Sequence, residues 1–82
     1  MLNREEIQEW IDGEINARQT KTSIYKGKYL IISDGWLSGL NFCKTHKEED
    51  IKKEYLCYVT KNLDEDFYGH GYFKALEMVL GK

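Results

Sequence analysis

No proline occurs anywhere in the chain, so every turn must come from Gly, Asn or Asp, and the seven glycines become its punctuation. The stretches between them must therefore be assigned from apolar periodicity and capping residues. The first stretch has the signature of a helix. Asn3 is placed to cap it, with Glu6 three residues on as the reciprocal partner, and Ile7, Trp10, Ile11 and Ile15 recur on one helical face. Gly13 weakens that helix by about 1 kcal/mol relative to alanine, which burial of the apolar face can offset.

From Thr20 to Phe42 the pattern changes. Ile24-Tyr25 and Tyr29-Leu30-Ile31-Ile32 are β-branched or aromatic clusters separated by Lys26-Gly27-Lys28, and Asp34-Gly35 follows directly as a hairpin signal. These features predict an antiparallel meander with a third strand over Trp36 to Phe42. The competing reading there is a short helix, because Trp36, Leu40 and Cys43 also share a helical face. Thr45 and Glu48 then form a Thr-x-x-Glu capping pattern, and Glu48/Lys52 and Glu49/Lys53 are favourable i,i+4 pairs. With the stripe Ile51, Tyr55, Tyr58 and Val59 they predict a helix to about Asn62, although Tyr55 to Thr60 is β-prone in composition. A last helix is expected from about Gly71 to Leu80, with Phe73, Leu76 and Leu80 inward and Gly81 as its stop. The expected fold is α+β: an N-terminal helix, a small antiparallel β-meander and two C-terminal helices. No repeat or linker divides residues 1–82, and 82 residues bound the chain to one domain with a small core.

Charge and cysteine content narrow the function classes. The net charge of -2 excludes a chain that is cationic throughout. No apolar run reaches the roughly 18 residues of a bilayer span, and MLNREEIQEW carries acids where a secretory leader starts basic. A cytoplasmic protein with reduced Cys43 and Cys57 is expected.

Cys43, His46, Cys57 and His70 are the soft metal ligands, and Cys43-x2-His46 could place two of them on one turn. The wide spacing to Cys57 and His70 forms no second paired knuckle, so packed thiols and an exposed His46 are favoured over a small structural zinc module, and no cofactor is expected. Asp64, Asp66 and Gly69 match the first, third and sixth positions of a calcium loop, but Tyr68 and Ala75 stand where it needs oxygen ligands. Catalytic patterns are missing as well. Ser38 lacks the glycine two residues before it that a nucleophile elbow needs, Cys43 and His46 have no orienting third group, and Gly69-His70-Gly71 stops short of a phosphate loop. The chain is not expected to be an enzyme.

Two binding readings are left. Arg18, Lys21, Lys26 and Lys28 interleave with Tyr25 and Tyr29 and would form a basic, aromatic hairpin for single-stranded nucleic acid. Lys26-Gly27-Lys28-Tyr29-Leu30-Ile31 partly resembles the sheet motif of RNA-recognition domains, departing from it at Lys28 and Leu30. The leading reading is a non-enzymatic protein-interaction module, with a homodimer as one form. Aromatic residues make up 13% of the chain, more than a small core can bury, and they crowd its last third. Tyr68 and Tyr72 with Asp64 and Asp66 would form an aromatic centre with an acidic rim that binds another protein. In size and in its Lys-, Glu- and Tyr-rich composition the chain is similar to small phage- and plasmid-borne accessory proteins. That likeness implies an inhibitor or immunity-like role by steric occlusion.

Overall fold

The structure, a computed structural model, describes all residues from Met1 to Lys82. It is helical throughout and has no strand: α1 (Arg4–Thr20), α2 (Lys28–Thr45), α3 (Glu48–Val59) and α4 (Phe67–Leu80). The expected α+β fold is therefore corrected to all-α, and the meander with its Arg18–Lys28 hairpin does not form. The helices build a slab of 37 × 31 × 17 Å. α2 and α4 pack along each other most extensively, α1 lies on α2, and α3 lies on α4.

The meander fails for a packing reason. Asp34-Gly35 lies in the middle of α2, with Gly35 buried where the helix runs against the Tyr68 backbone carbonyl of α4. One turn on, a Cβ on Gly39 would stand 2.6 Å from the Ala75 Cβ and 2.8 Å from the Tyr72 carbonyl. On α4, Gly71 meets the Ile32 carbonyl in the same way. Glycines spaced by four on one helix and small residues spaced by four on the other let two backbones approach closely. The Asp-Gly pair serves this crossing and makes no turn. Ile31-Ile32, just before it, are helical as well, because their helix propensity falls short of alanine's by less than about 0.7 kcal/mol each and tertiary packing overrides that.

Other local signals worked as expected. Asn3 Oδ1 accepts from the Glu6 N–H at 2.8 Å, and Glu6 Oε1 accepts in return from the Asn3 N–H. Ile7 and Ile11 are buried below it, whereas Ile15 is exposed. Gly81, in the left-handed conformation at φ 79°, stops α4. Thr45 behaves differently from its expected capping role. Its hydroxyl donates to the Asn41 and Phe42 carbonyls, closing α2, and α3 begins after Lys47 with no side-chain cap. Glu48 and Lys52 pair at 3.0 Å, while Glu49 and Lys53 form no ion pair. α4 starts at Phe67, ahead of the expected Gly71, because Asp66 Oδ1 caps the Gly69 N–H at 2.8 Å.

The core is one cluster: Ile7 and Ile11 from α1, Leu40 and Cys43 from α2, Ile51 from α3, and Tyr72, Ala75, Leu76 and Val79 from α4. The Leu2 N–H donates to the Val79 carbonyl and ties the start of the chain to the end of α4. None of the helices is long and apolar enough to cross a membrane.

Candidate functional site

Gly27 adopts φ 53° between α1 and α2, a conformation that side chains strain, and the turn it allows sets Ile24 and Tyr25 beside α2. The connection, α1, α2 and α4 enclose a cleft of about 660 Å³. Tyr29, Ile32, Ser33 and Trp36 line it from α2 at the spacing of one helical face. α4 contributes His70, Phe73, Lys74 and Glu77, and α1 contributes Glu14. Tyr29, Ile32 and His70 also line a second hollow of about 350 Å³ with Lys28, Leu63, Asp64 and Phe67, so the two adjoin in a groove that shares this wall.

Two of the cleft's rings are fixed from behind. Trp36 stacks on Trp10 with centroids 5.8 Å apart, and Phe73 stacks on Tyr55 at 5.2 Å. The polar groups are also engaged. Ser33, 5% exposed, donates its hydroxyl to Glu14 Oε2 at 2.6 Å, and Lys74 donates to Glu77 Oε1 at 2.9 Å. Burial, followed by the negative charge of Glu14, raises the Tyr25 pKa above its ordinary value. Ser33 donates its hydroxyl hydrogen to Glu14 and is itself almost covered, so this pair fixes the position of the carboxylate at the cleft.

The expected site residues are distributed as follows. Tyr68 is exposed, and Asp64 is exposed at the far end of the groove with its N–H on Asn62 Oδ1. Asp66 is the cap of α4. Tyr72 is buried, its hydroxyl on Glu54 Oε2 at 3.0 Å; burial and that hydrogen bond push its pKa well above the ordinary tyrosine value. The α4 start thus gathers Tyr68, Asp64 and Asp66, and Tyr72 belongs to the core.

Among the basic set, Arg18 is spent on Asp34 at 2.8 Å, Lys21 closes α1 through its backbone, and Lys28 lies over the Tyr29 ring. Lys26 is exposed beside Tyr25, which lines the cleft. These residues span the end of α1, a turn and the start of α2, and share no sheet.

The four soft ligands are separated. Cys43 is in the core, where burial pushes its thiol up to about 12. His46 stacks on Phe42 and shares a shallow hollow with the exposed Cys57, while His70 borders the cleft. Nowhere are three or more His, Cys, Asp or Glu side chains gathered to hold a metal ion. Glu14 and Ser33 carry no signal in the sequence, and Trp36 and Phe73 read there as packing residues, not as parts of a site. The signal for the α2 wall is the helical spacing of Tyr29, Ile32 and Trp36, hidden by the strand-like composition of that segment.

No family model, curated protein or solved structure matches the chain.

Proposed function

We propose that the protein is a non-enzymatic interaction module that holds part of a partner protein in the groove bordered by α1, α2 and α4. The observation that carries this reading is that the cleft and the hollow at Leu63 and Phe67 adjoin across Tyr29, Ile32 and His70. The cleft alone has the size of a small-molecule pocket, but its extension and apolar rim suit a longer occupant. Ile24 and Tyr29 on that rim are 56% and 57% exposed, and Phe67 and Tyr68 continue the apolar surface at the other end. Large aromatic and aliphatic side chains around a pocket are what protein interfaces use as anchors. The effect of binding in this reading is occlusion of the surface the partner commits to the groove.

Site-specific crosslinking tests the placement. A photoreactive benzoyl-phenylalanine at position 24, on the rim, is expected to crosslink the partner in cells, and the same group at position 56, exposed on α3, is not. Crosslinking from position 56 without position 24 overturns the assignment.

A further inference from the structure

Glu14 is the unbalanced group of the cleft. It is half-buried, and its carboxylate is held by the buried Ser33 hydroxyl, yet it forms an ion pair with no cation of the chain. Arg18, one turn along α1, is engaged by Asp34, and Lys74 is engaged by Glu77. His70 is the other titratable group of basic type on the cleft wall, and it forms no ion pair with Glu14. Glu14 and Glu77 against Lys74 leave the cleft with a negative surplus. A positive charge placed beside a partly covered carboxylate is attracted to it more strongly than in open water.

The rings around Glu14 favour the same sign. Tyr29 already carries Lys28 over its ring, but Tyr25, Trp36 and Phe73 also line the cleft, and aromatic faces carry negative electrostatic potential that attracts ammonium and guanidinium groups. The stacks on Trp10 and Tyr55 hold two of these rings in place before any ligand arrives, which lowers the ordering cost of binding. An anion would face Glu14 and Glu77, with Lys74 already paired. A neutral apolar group would cover Glu14 and leave its charge unanswered.

We propose that the cleft is a recognition site for an organic cation, the ammonium or guanidinium end of a basic side chain carried by the partner. Its charged head meets Glu14 and its apolar stem lies against Ile32 and Trp36. This deepens the reading of the groove as a docking site and rests on it. The partner segment thus carries an exposed Lys or Arg flanked by apolar residues.

Three probes of one skeleton separate charge from shape: phenethylammonium, phenethyl alcohol and phenylpropionate. Binding is followed by tryptophan fluorescence and by amide shifts at Ser33 and Gly71. Phenethylammonium is expected to bind about tenfold more tightly than the other two, the equivalent of about 1.4 kcal/mol. Glu14→Gln, which keeps an oxygen for the Ser33 hydroxyl, is expected to remove this preference and leave the alcohol's affinity unchanged. In the unsubstituted protein the preference is expected to shrink with added salt, a readout that needs no variant. Equal affinities, a preference for phenylpropionate, a preference that survives Glu14→Gln, or no shifts at the cleft would each overturn the cation site. Equal binding of all three inside the cleft removes only the cation. Crosslinking confined to position 56 removes the docking groove itself.

Discussion

Two neighbouring faces of α2 are made from opposite materials. Toward α4 the helix offers Gly35, Gly39 and Cys43, and the backbones meet so closely that a single added carbon has no room at Gly35 or Gly39. Toward the cleft it offers Tyr29, Ile32 and Trp36, large side chains that leave space between elements. One side secures the fold by removing side chains. The other keeps an opening by using large ones that the rest of the core does not cover. Substitutions on the first side therefore act on folding, and those on the second act on what the groove can hold.

The sharpest way to break this contrast is to add volume at the crossing. Gly39→Val is expected to cost more than about 3 kcal/mol, because the added methyl groups must enter space held by Ala75 and the Tyr72 carbonyl. Gly35→Ala is expected to destabilise by about 1–3 kcal/mol, against the stabilisation that helix propensity alone assigns to alanine. Tyr29→Ala, at a site 57% exposed, is expected to stay within about 0.5 kcal/mol. Urea denaturation of the three variants checks the order. A stable Gly39→Val protein would show that the helices are not held as closely as described.

This contrast also explains what could be read from the chain itself. The first helix was legible down to its capping box, because Asn3, Glu6, Ile7 and Ile11 interact within a few residues of each other. The Gly81 stop was legible for the same reason, and α3 through Ile51 and the Glu48/Lys52 pair, although its expected Thr45 cap closes α2 instead. α2 was not. Its glycines answer to Tyr68, Tyr72 and Ala75, more than thirty residues away in sequence, and local rules read Asp34-Gly35 as a turn. The same signal hides the site, because a strand over Tyr29 to Ile32 cannot place Ile32, Ser33 and Trp36 on one cleft wall. Tyr72 reads as surface from the sequence because its partner Glu54 lies on another helix.

The tight side of α2 also predicts a pH response. Cys43 lies in it, and burial raises its thiol from 9.0 to about 12. The fold favours the neutral thiol, so its contribution to stability is complete below pH 9.0 and is lost as pH rises toward 12. Tyr72 adds to the same loss above its ordinary value of 10.0. The urea midpoint is expected to fall steadily across this range, and Cys43→Ala should flatten the early part of the decline. Thiol labelling gives a second check. Cys57, exposed on α3, is expected to react at once with a disulfide reagent in the native state, and Cys43 only on unfolding. Two equally fast thiols would contradict the burial of Cys43.

Smaller effects belong to the helix ends and open faces. Asp66→Ala is expected to cost about 1 kcal/mol through loss of the α4 cap, with Asp66→Asn retaining most of it. That ratio separates a capping role from a partner contact, since a contact would weaken binding and leave the denaturation midpoint in place.

Gly13 supplies the control for the glycines of the crossing. It lies within α1, and a Cβ built on it meets nothing within 4 Å. The same change that is destabilising at Gly35 should therefore be stabilising here. Gly13→Ala is expected to add about 0.5–1 kcal/mol, because alanine loses less backbone freedom on folding and no neighbour has to move. Opposite signs for one chemical substitution at two helical glycines would assign the difference to close approach, since helix propensity is common to both. If both alanine variants were stabilised, the α2–α4 crossing would have to be looser, and α2 would keep its glycines for some reason other than packing.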